Sequence, residues 1–174
     1  TYHNAFGLTT ADAFIADEFR RIVKKQFAYD VKLKANGKDL VVTSTQLRLF
    51  LAEIGLGYGH AHEKYVPVSI LQAPKPIVVA FLQGLFDTDG YVNNRYGGVQ
   101  LATTSRRLAR EVQMLLLNLG MIAPLRAKRT PRKVCYVVSL AGADAIQFHQ
   151  QVGFRLPRKQ ERRTLASPLC MPTI

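Results

Sequence analysis

Apolar residues along the chain recur with two periods. Ile15, Phe19, Ile22 and Val23 lie at i, i+4, i+7 and i+8, which predicts one buried helix face. Leu108, Val112, Leu115 and Leu116 repeat that spacing at a constant displacement of 93 residues, and paired threonines, Thr9-Thr10 and Thr103-Thr104, precede each run. After the first helix, Val31-Lys32-Leu33-Lys34 and Leu40-Val41-Val42 flank Asn36-Gly37, which predicts a hairpin closed by a type I′ turn. After the second, Pro124-Leu125-Arg126 and Val134-Cys135-Tyr136-Val137-Val138 flank Thr130-Pro131-Arg132, a longer loop whose proline suits a turn and not a central strand. A third helix follows in each half, with Ser44 and Asp144 as N-cap candidates. It ends alike in both, since Phe50 to Gly55 matches Phe148 to Gly153 at a displacement of 98. Each repeat closes on a lysine, Lys64 and Lys159.

The chain therefore reads as a degenerate duplication. The first half has the order strand, helix, hairpin, helix; the second has helix, strands, helix, hairpin, helix. The second half opens with a helix at about residues 76–88, and carrying that helix back by 93 places its counterpart before Thr1. The expected halves are 1–75, lacking its opening helix, and 76–174. That helix is then either absent from this stretch of sequence or supplied by an N-terminal fragment or second chain.

Charge narrows the class of partner. Lys and Arg number 24 against 12 Asp and Glu, a net of +12, so the surface field favours polyanions. Strand alternation puts Lys32 and Lys34 on one face and Val31 and Leu33 on the other, with Lys38 near the turn. In the second half Arg126, Lys128, Arg129, Arg132 and Lys133 crowd the hairpin and its loop, and Arg95 and Gln100 sit on the strands after the motif. Arg and Gln distinguish base edges in a major groove, whereas Lys mostly positions on phosphate. The longest apolar run, Ile77 to Phe86, is far short of the roughly 20 residues of a membrane span, and no signal region follows Thr1. A soluble, intracellular, cytoplasmic protein is expected. Cys135 and Cys170 have no CxxC spacing and give neither a disulfide framework nor a zinc site. His60-x-His62 with Glu63 lacks a second ligand cluster, and His3 and His149 have no visible partners.

Candidate chemistry concentrates in Leu82-Gln83-Gly84-Leu85-Phe86-Asp87-Thr88-Asp89-Gly90. Pro76 opens this helix and Gly90 is placed at its C′ position. Asp87 and Asp89 then sit at the negative pole of the helix dipole, an arrangement that costs free energy unless a cation compensates. Gly84 costs about 1 kcal/mol relative to Ala in mid-helix, as expected where another helix must approach closely. An EF-hand is excluded, because Gly90 comes too soon after Asp87 and no closing Glu follows.

These nine residues resemble the second nonapeptide motif of the LAGLIDADG (dodecapeptide) homing endonucleases. Lys64-Tyr65-Val66-Pro67, Thr103-Thr104-Ser105 and Phe148 to Lys159 resemble the intein-type members, so the resemblance covers nearly the whole chain. It implies an α+β fold of duplicated αββαββα halves, with saddle-shaped antiparallel sheets on double-stranded DNA. It also implies site-specific, metal-dependent hydrolysis of phosphodiester bonds in homing of an intein or intron. By position it gives Asp89, with the Gly90 carbonyl, to Mg2+ or another divalent cation such as Mn2+. Lys64 and Lys159 take the basic catalytic positions beside the metal, Arg158 being the neighbouring candidate for the latter. One motif supplies one carboxylate where cleavage of both strands takes one from each half. The alternative is a nuclease-inactive DNA-binding or RNA-maturase module with the same fold.

Overall fold

The computed structural model describes residues 4–57, 59–93, 97–129, 131 and 134–162. Two compact units divide the chain, Thr1–Gly57 and Tyr58–Ile174.

The first unit contains β1 (Ala5–Thr9), α1 (Ala13–Phe27), β2 (Lys32–Leu33), β3 (Asp39–Thr43) and α2 (Thr45–Glu53). Its antiparallel sheet has the order β1-β3-β2. Register aligns Phe6 with Val42, and Leu8 with Leu40 and Leu33, on one face. Leu40 and Val42 are buried on that face, and Phe6 meets Phe19 of α1 edge to face. Gly7, Val41 and Lys32 share the opposite face, as alternation requires. The predicted type I′ turn is not formed. Lys34 N–H donates to Asp39 O and Gly37 N–H to Lys34 O, giving a four-residue loop with Gly37 at φ 69°. The cause is the Asn36 side chain, whose oxygen accepts from the N–H groups of Lys38 and Asp39 and leaves only Gly37 in the left-handed region.

The second unit contains α3 (Val68–Leu71), α4 (Lys75–Asp89), β4 (Gly90–Val92), β5 (Val99–Thr103), α5 (Arg106–Asn118), β6 (Leu125–Arg129), β7 (Val134–Leu140), α6 (Gly142–Gln151) and α7 (Pro157–Gln160). Its antiparallel sheet has the order β4-β5-β7-β6. Val92, Val99, Leu101, Val138 and Leu140 form the inner face. They pack with Leu82 and Phe86 of α4, Val112 and Leu116 of α5, and Phe148 of α6 in one core.

The duplication extends to the helix caps. Asp12 caps α1 and Ser105 caps α5, 93 residues apart, each through a side chain that accepts from the N–H three residues on. Thr10 and Thr103 accept from those capping residues' own N–H groups. Ser44 caps α2 as expected. In the second half the cap position of α6 is Ala141, not Asp144, because the Asp144 carboxylate accepts from Ile122 N–H in the preceding connection. The helices end alike, with Gly55 and Gly153 both at positive φ.

Candidate functional site

α4 runs one turn-end further than expected, to Asp89, with Pro76 in its first turn. Val78, Leu82 and Phe86, four residues apart, enter the core. Ile77, Ala80, Gly84 and Thr88 face outward, and a methyl group added at Gly84 would meet open space. Gly90 has an ordinary φ of −80°, so left-handed geometry does not explain it. It is required because a Cβ there would run into the Phe86 carbonyl oxygen.

The cation demanded at the negative pole of α4 is an ammonium. Lys159 Nζ donates to the carbonyl oxygens of Phe86 (2.7 Å), Asp87 (2.6 Å) and Gly90 (2.6 Å), and the side chain is only 4% exposed. It comes from α7, and Asp87 returns the connection: its buried carboxylate accepts from Arg155 N–H at 3.2 Å and Leu156 N–H at 3.3 Å. Arg162 adds a bond to Val92 O on β4. The two aspartates of the motif thus differ. Asp87 is committed to the α7 connection, whereas the Asp89 carboxylate is exposed and has no hydrogen bond or ion pair among the described residues.

Lys64 is placed by its backbone. Its carbonyl accepts from Ser105 Oγ at 2.5 Å, and Val66 N–H donates to Glu111 at 2.6 Å, which ties residues 64–66 to the start of α5. Arg107 stacks over Tyr65 and pairs with Glu111, completing that anchor. The Lys64 ammonium is exposed and unpaired among the described residues. The two candidate lysines are therefore unlike: one is consumed by carbonyls, the other is available.

A hard divalent cation takes oxygen donors, and Mg2+ keeps several waters when only one or two carboxylates are offered. Asp89 and the nearby carbonyls are donors of that kind. No cluster of three or more His, Cys, Asp or Glu able to hold a metal exists among the described residues, so no all-protein cage is present. His60 and His62 stack face to face on the surface, with Glu63 accepting from His60 N–H.

The outer face of the second sheet follows from its register. Tyr91, Gln100 and Ser139 form one row, Ala102, Val137 and Arg126 the next, and Cys135 with Lys128 a third. Tyr91, Gln100, Arg126 and Lys128 are exposed. Arg129 lies opposite Val134 at the hairpin end and belongs by alternation to the other side. Tyr91 and Ser139 were not singled out from sequence, although alternation from Asp89 across β4 carries the signal for Tyr91. In the first unit, Lys32 and Lys38 are exposed and Lys34 faces Asp39. A hydrogen bond from Thr9, another from Asn36 and the Lys34 charge hold the Asp39 carboxyl below the usual range. Arg95, Arg132, Lys133, His3 and Cys170 lie outside the described residues. No helix among the described residues is long and apolar enough to cross a membrane.

This arrangement matches known proteins. Residues 76–153 match the family described as LAGLIDADG-like domain. A probable translation initiation factor IF-2 of Methanocaldococcus jannaschii is 25% identical over 146 residues, covering 80% of this chain and 12% of that protein. The replicative DNA helicase DnaB of Rhodothermus marinus is 28% identical over 172 residues, covering 87% of this chain and 18% of that protein. The chain thus spans less than a fifth of the length of these relatives. The crystal structure of I-DmoI in complex with DNA and Ca superposes with a TM-score of 0.65 at 17% identity, over 90% of this chain and 80% of that one. The N-terminal LAGLIDADG domain of DUF199/WhiA does so at 0.52 and 13% identity, over 91% and 75%. Residues 76–153 thus match a LAGLIDADG-like domain, and the α+β fold with antiparallel sheets is similar to that of the homing endonuclease I-DmoI.

Proposed function

We propose that this chain is the DNA-recognition and cleavage module of an intein-type homing endonuclease, hydrolysing phosphodiester bonds at a long double-stranded site. The observation that carries the reading is Asp89, an exposed carboxylate at the end of the motif helix with no partner among the described residues. Two residues on, Tyr91 begins a solvent-facing sheet surface that holds Gln100, Arg126 and Lys128. The relatives support the intein context: similar stretches make up a small part of an initiation factor and of a helicase, two proteins of unrelated function. I-DmoI was solved with DNA and a divalent cation.

In this reading Asp89 would hold Mg2+ or Mn2+ through one carboxylate and a shell of water and phosphate oxygens, the Gly90 carbonyl being already bonded to the Lys159 ammonium. When bound, the cation supplies Lewis-acid activation of the phosphate. Lys64 offers its unpaired ammonium to the charge that develops on phosphate as water attacks phosphorus and the bond to the departing sugar oxygen breaks. Lys159 holds the end of α4, and so Asp89, in place through its three carbonyl bonds. Gln100 and Arg126 read base edges. Lys32, Lys34, Lys38 and Lys128 neutralise phosphate, as do Arg95, Arg132 and Lys133 of the segments not described, whereas Arg129 falls on the other side of the sheet. By sequence the repeats divide at 75/76, whereas the compact units divide between Gly57 and Tyr58. A second carboxylate for the second strand arrives with another motif helix set against the outward Ile77, Ala80 and Gly84 of α4.

The absence of a cluster of three or more metal-ligating side chains among the described residues also supports a second reading, a nuclease-inactive DNA-binding or RNA-maturase module. Mg2+-dependent cleavage of a selected duplex decides between them. Breaks or nicks that vanish in Asp89→Asn while DNA affinity persists establish the endonuclease. Unchanged binding with no cleavage in the wild type establishes the binding module.

A further inference from the structure

Lys64 stands in a stretch without regular structure, since residues 59–67 contain neither helix nor strand. Its backbone is nevertheless held on both sides. Ser105 Oγ donates to the Lys64 carbonyl at 2.5 Å, and two residues on Val66 N–H donates to Glu111 Oε2 at 2.6 Å. Ser105 and Val66 are both 0% exposed. Between these anchors the Arg107 guanidinium lies over the Tyr65 ring, 4.5 Å from its centroid, and Arg107 Nε donates to the other Glu111 oxygen at 2.8 Å.

Glu111 joins these contacts. It is the only carboxylate of α5, and its side chain is 13% exposed. One oxygen takes the backbone of the strap 64–66; the other takes the arginine that lies on the strap's aromatic ring. Both bonds are charge-assisted, the stronger kind. The register of the second sheet sets this clamp beside the motif. Gly90 lies opposite Leu101 and Val92 opposite Val99, so the residues before Gly90 and those after β5 leave the sheet at the same end. Asp89 and Ser105 share that end.

We propose that Glu111 is a positioning residue for Lys64: its carboxylate fixes the strap on α5, and with it the place from which the Lys64 ammonium meets a DNA phosphate. The inference rests on the endonuclease reading above. Lys64 is a long side chain with no partner of its own among the described residues, so its aim depends on where its backbone is pinned. A charge set about 1 Å out of place costs about a hundredfold in rate. Ser105 also caps α5, so its removal would disturb the helix; removal of Glu111 leaves that cap in place.

The test is Mg2+-dependent cleavage of the selected duplex in single turnover, with the chain in excess and its concentration varied. Wild type, Glu111→Ala, Glu111→Gln, Lys64→Met and the double variant are compared. Glu111→Ala should lower the maximal rate by about tenfold or more and leave the half-saturating concentration within about twofold. Glu111→Gln keeps an acceptor for Val66 N–H and should recover part of the rate. In the Lys64→Met background Glu111→Ala should have no further effect, because no ammonium is left to misplace. Hydrogen exchange at the Val66 amide should be about tenfold faster or more in Glu111→Ala and intermediate in Glu111→Gln. Arg107→Met supplies the same cycle, with a smaller effect, if circular dichroism shows Glu111→Ala to be unfolded.

Glu111→Ala with the wild-type maximal rate overturns the proposal, as does an unchanged Val66 exchange rate. So does a Glu111→Ala effect of the same factor with and without Lys64, which is the mark of a merely structural role. A wild type that cuts no duplex removes the endonuclease reading and the positioning role together. A wild type that cuts, with independent effects at the two positions, removes the positioning role alone.

Discussion

Replacing Lys159 by Met removes an ammonium while keeping an unbranched side chain of similar length. Three carbonyl oxygens, of Phe86, Asp87 and Gly90, then lose a donor at 2.6–2.7 Å. A hydrogen bond to a charged group contributes about 1.5–3 kcal/mol, and a buried acceptor left without one costs about 1–3 kcal/mol. Against this, Met escapes the cost of burying a charge, which is several kcal/mol for an ion in a protein interior. Gly90 O is also only part-buried, and water can replace one donor there. The net expectation is a loss of about 2–3 kcal/mol from the second unit, toward the upper end of the usual range for single substitutions. Urea denaturation followed by circular dichroism measures it, provided that the transition is fitted separately for each unit. Lys159→Arg should recover part of the loss, because it retains donors and charge. A midpoint for Lys159→Met within about 0.5 kcal/mol of wild type, the range of ordinary surface substitutions, would refute the reasoning. Lys159 would then be a surface cation free to act on phosphate.

Other outcomes follow from the same geometry. Asp89→Asn should abolish cleavage while leaving duplex affinity within about twofold, as measured by filter binding at fixed salt, since a free carboxylate near phosphate adds nothing to affinity. Lys128→Ala should lower the salt slope of DNA binding by about one and weaken all sequences alike, whereas Arg126→Ala should relax preference at one base position. Gly90→Ala should destabilise the second unit by about 1–3 kcal/mol, because the new Cβ meets the Phe86 carbonyl and the backbone must move. Asp39 titrates below the ordinary carboxylate range in the folded state, chiefly through Thr9. Its stabilising effect is therefore present above the unfolded-state pKa and is lost as pH falls through the lower folded value. An NMR titration should show its midpoint rising toward the ordinary value in Thr9→Val; an unmoved midpoint would remove Thr9 as the cause.

Local pattern carried the fold further than it carried the site. The 93-residue displacement reproduces the capping hydrogen bonds themselves, because N-caps and helix faces are set by residues three or four apart. The type I′ turn at Asn36-Gly37 failed for a local reason as well, the Asn36 side chain competing for backbone N–H groups. Asp144 was misread as a cap because its partner, Ile122, is 22 residues away. The site depends on still longer connections. Lys159 reaches Gly90 across 69 residues, and Asp87 reaches Leu156 across another 69. The motif placed Asp87, Asp89 and Gly90 together and the resemblance added Lys159, but spacing alone does not say which lysine is buried or which aspartate is spent. The negative pole of α4 calls for a cation, for which a metal is the sequence-based expectation, and the structure supplies the Lys159 ammonium there.

The measurement that bears most directly on the DNA reading is competitive binding after selection from a randomised duplex library, with Ca2+ present and the Asp89→Asn chain run in parallel. A recovered site of many base pairs, bound at least about a thousandfold more tightly than competitor DNA by both chains, is the predicted result. Equal affinity for selected and competitor duplexes, with the same steep salt dependence for each, would contradict it and leave a basic protein that binds DNA by charge alone.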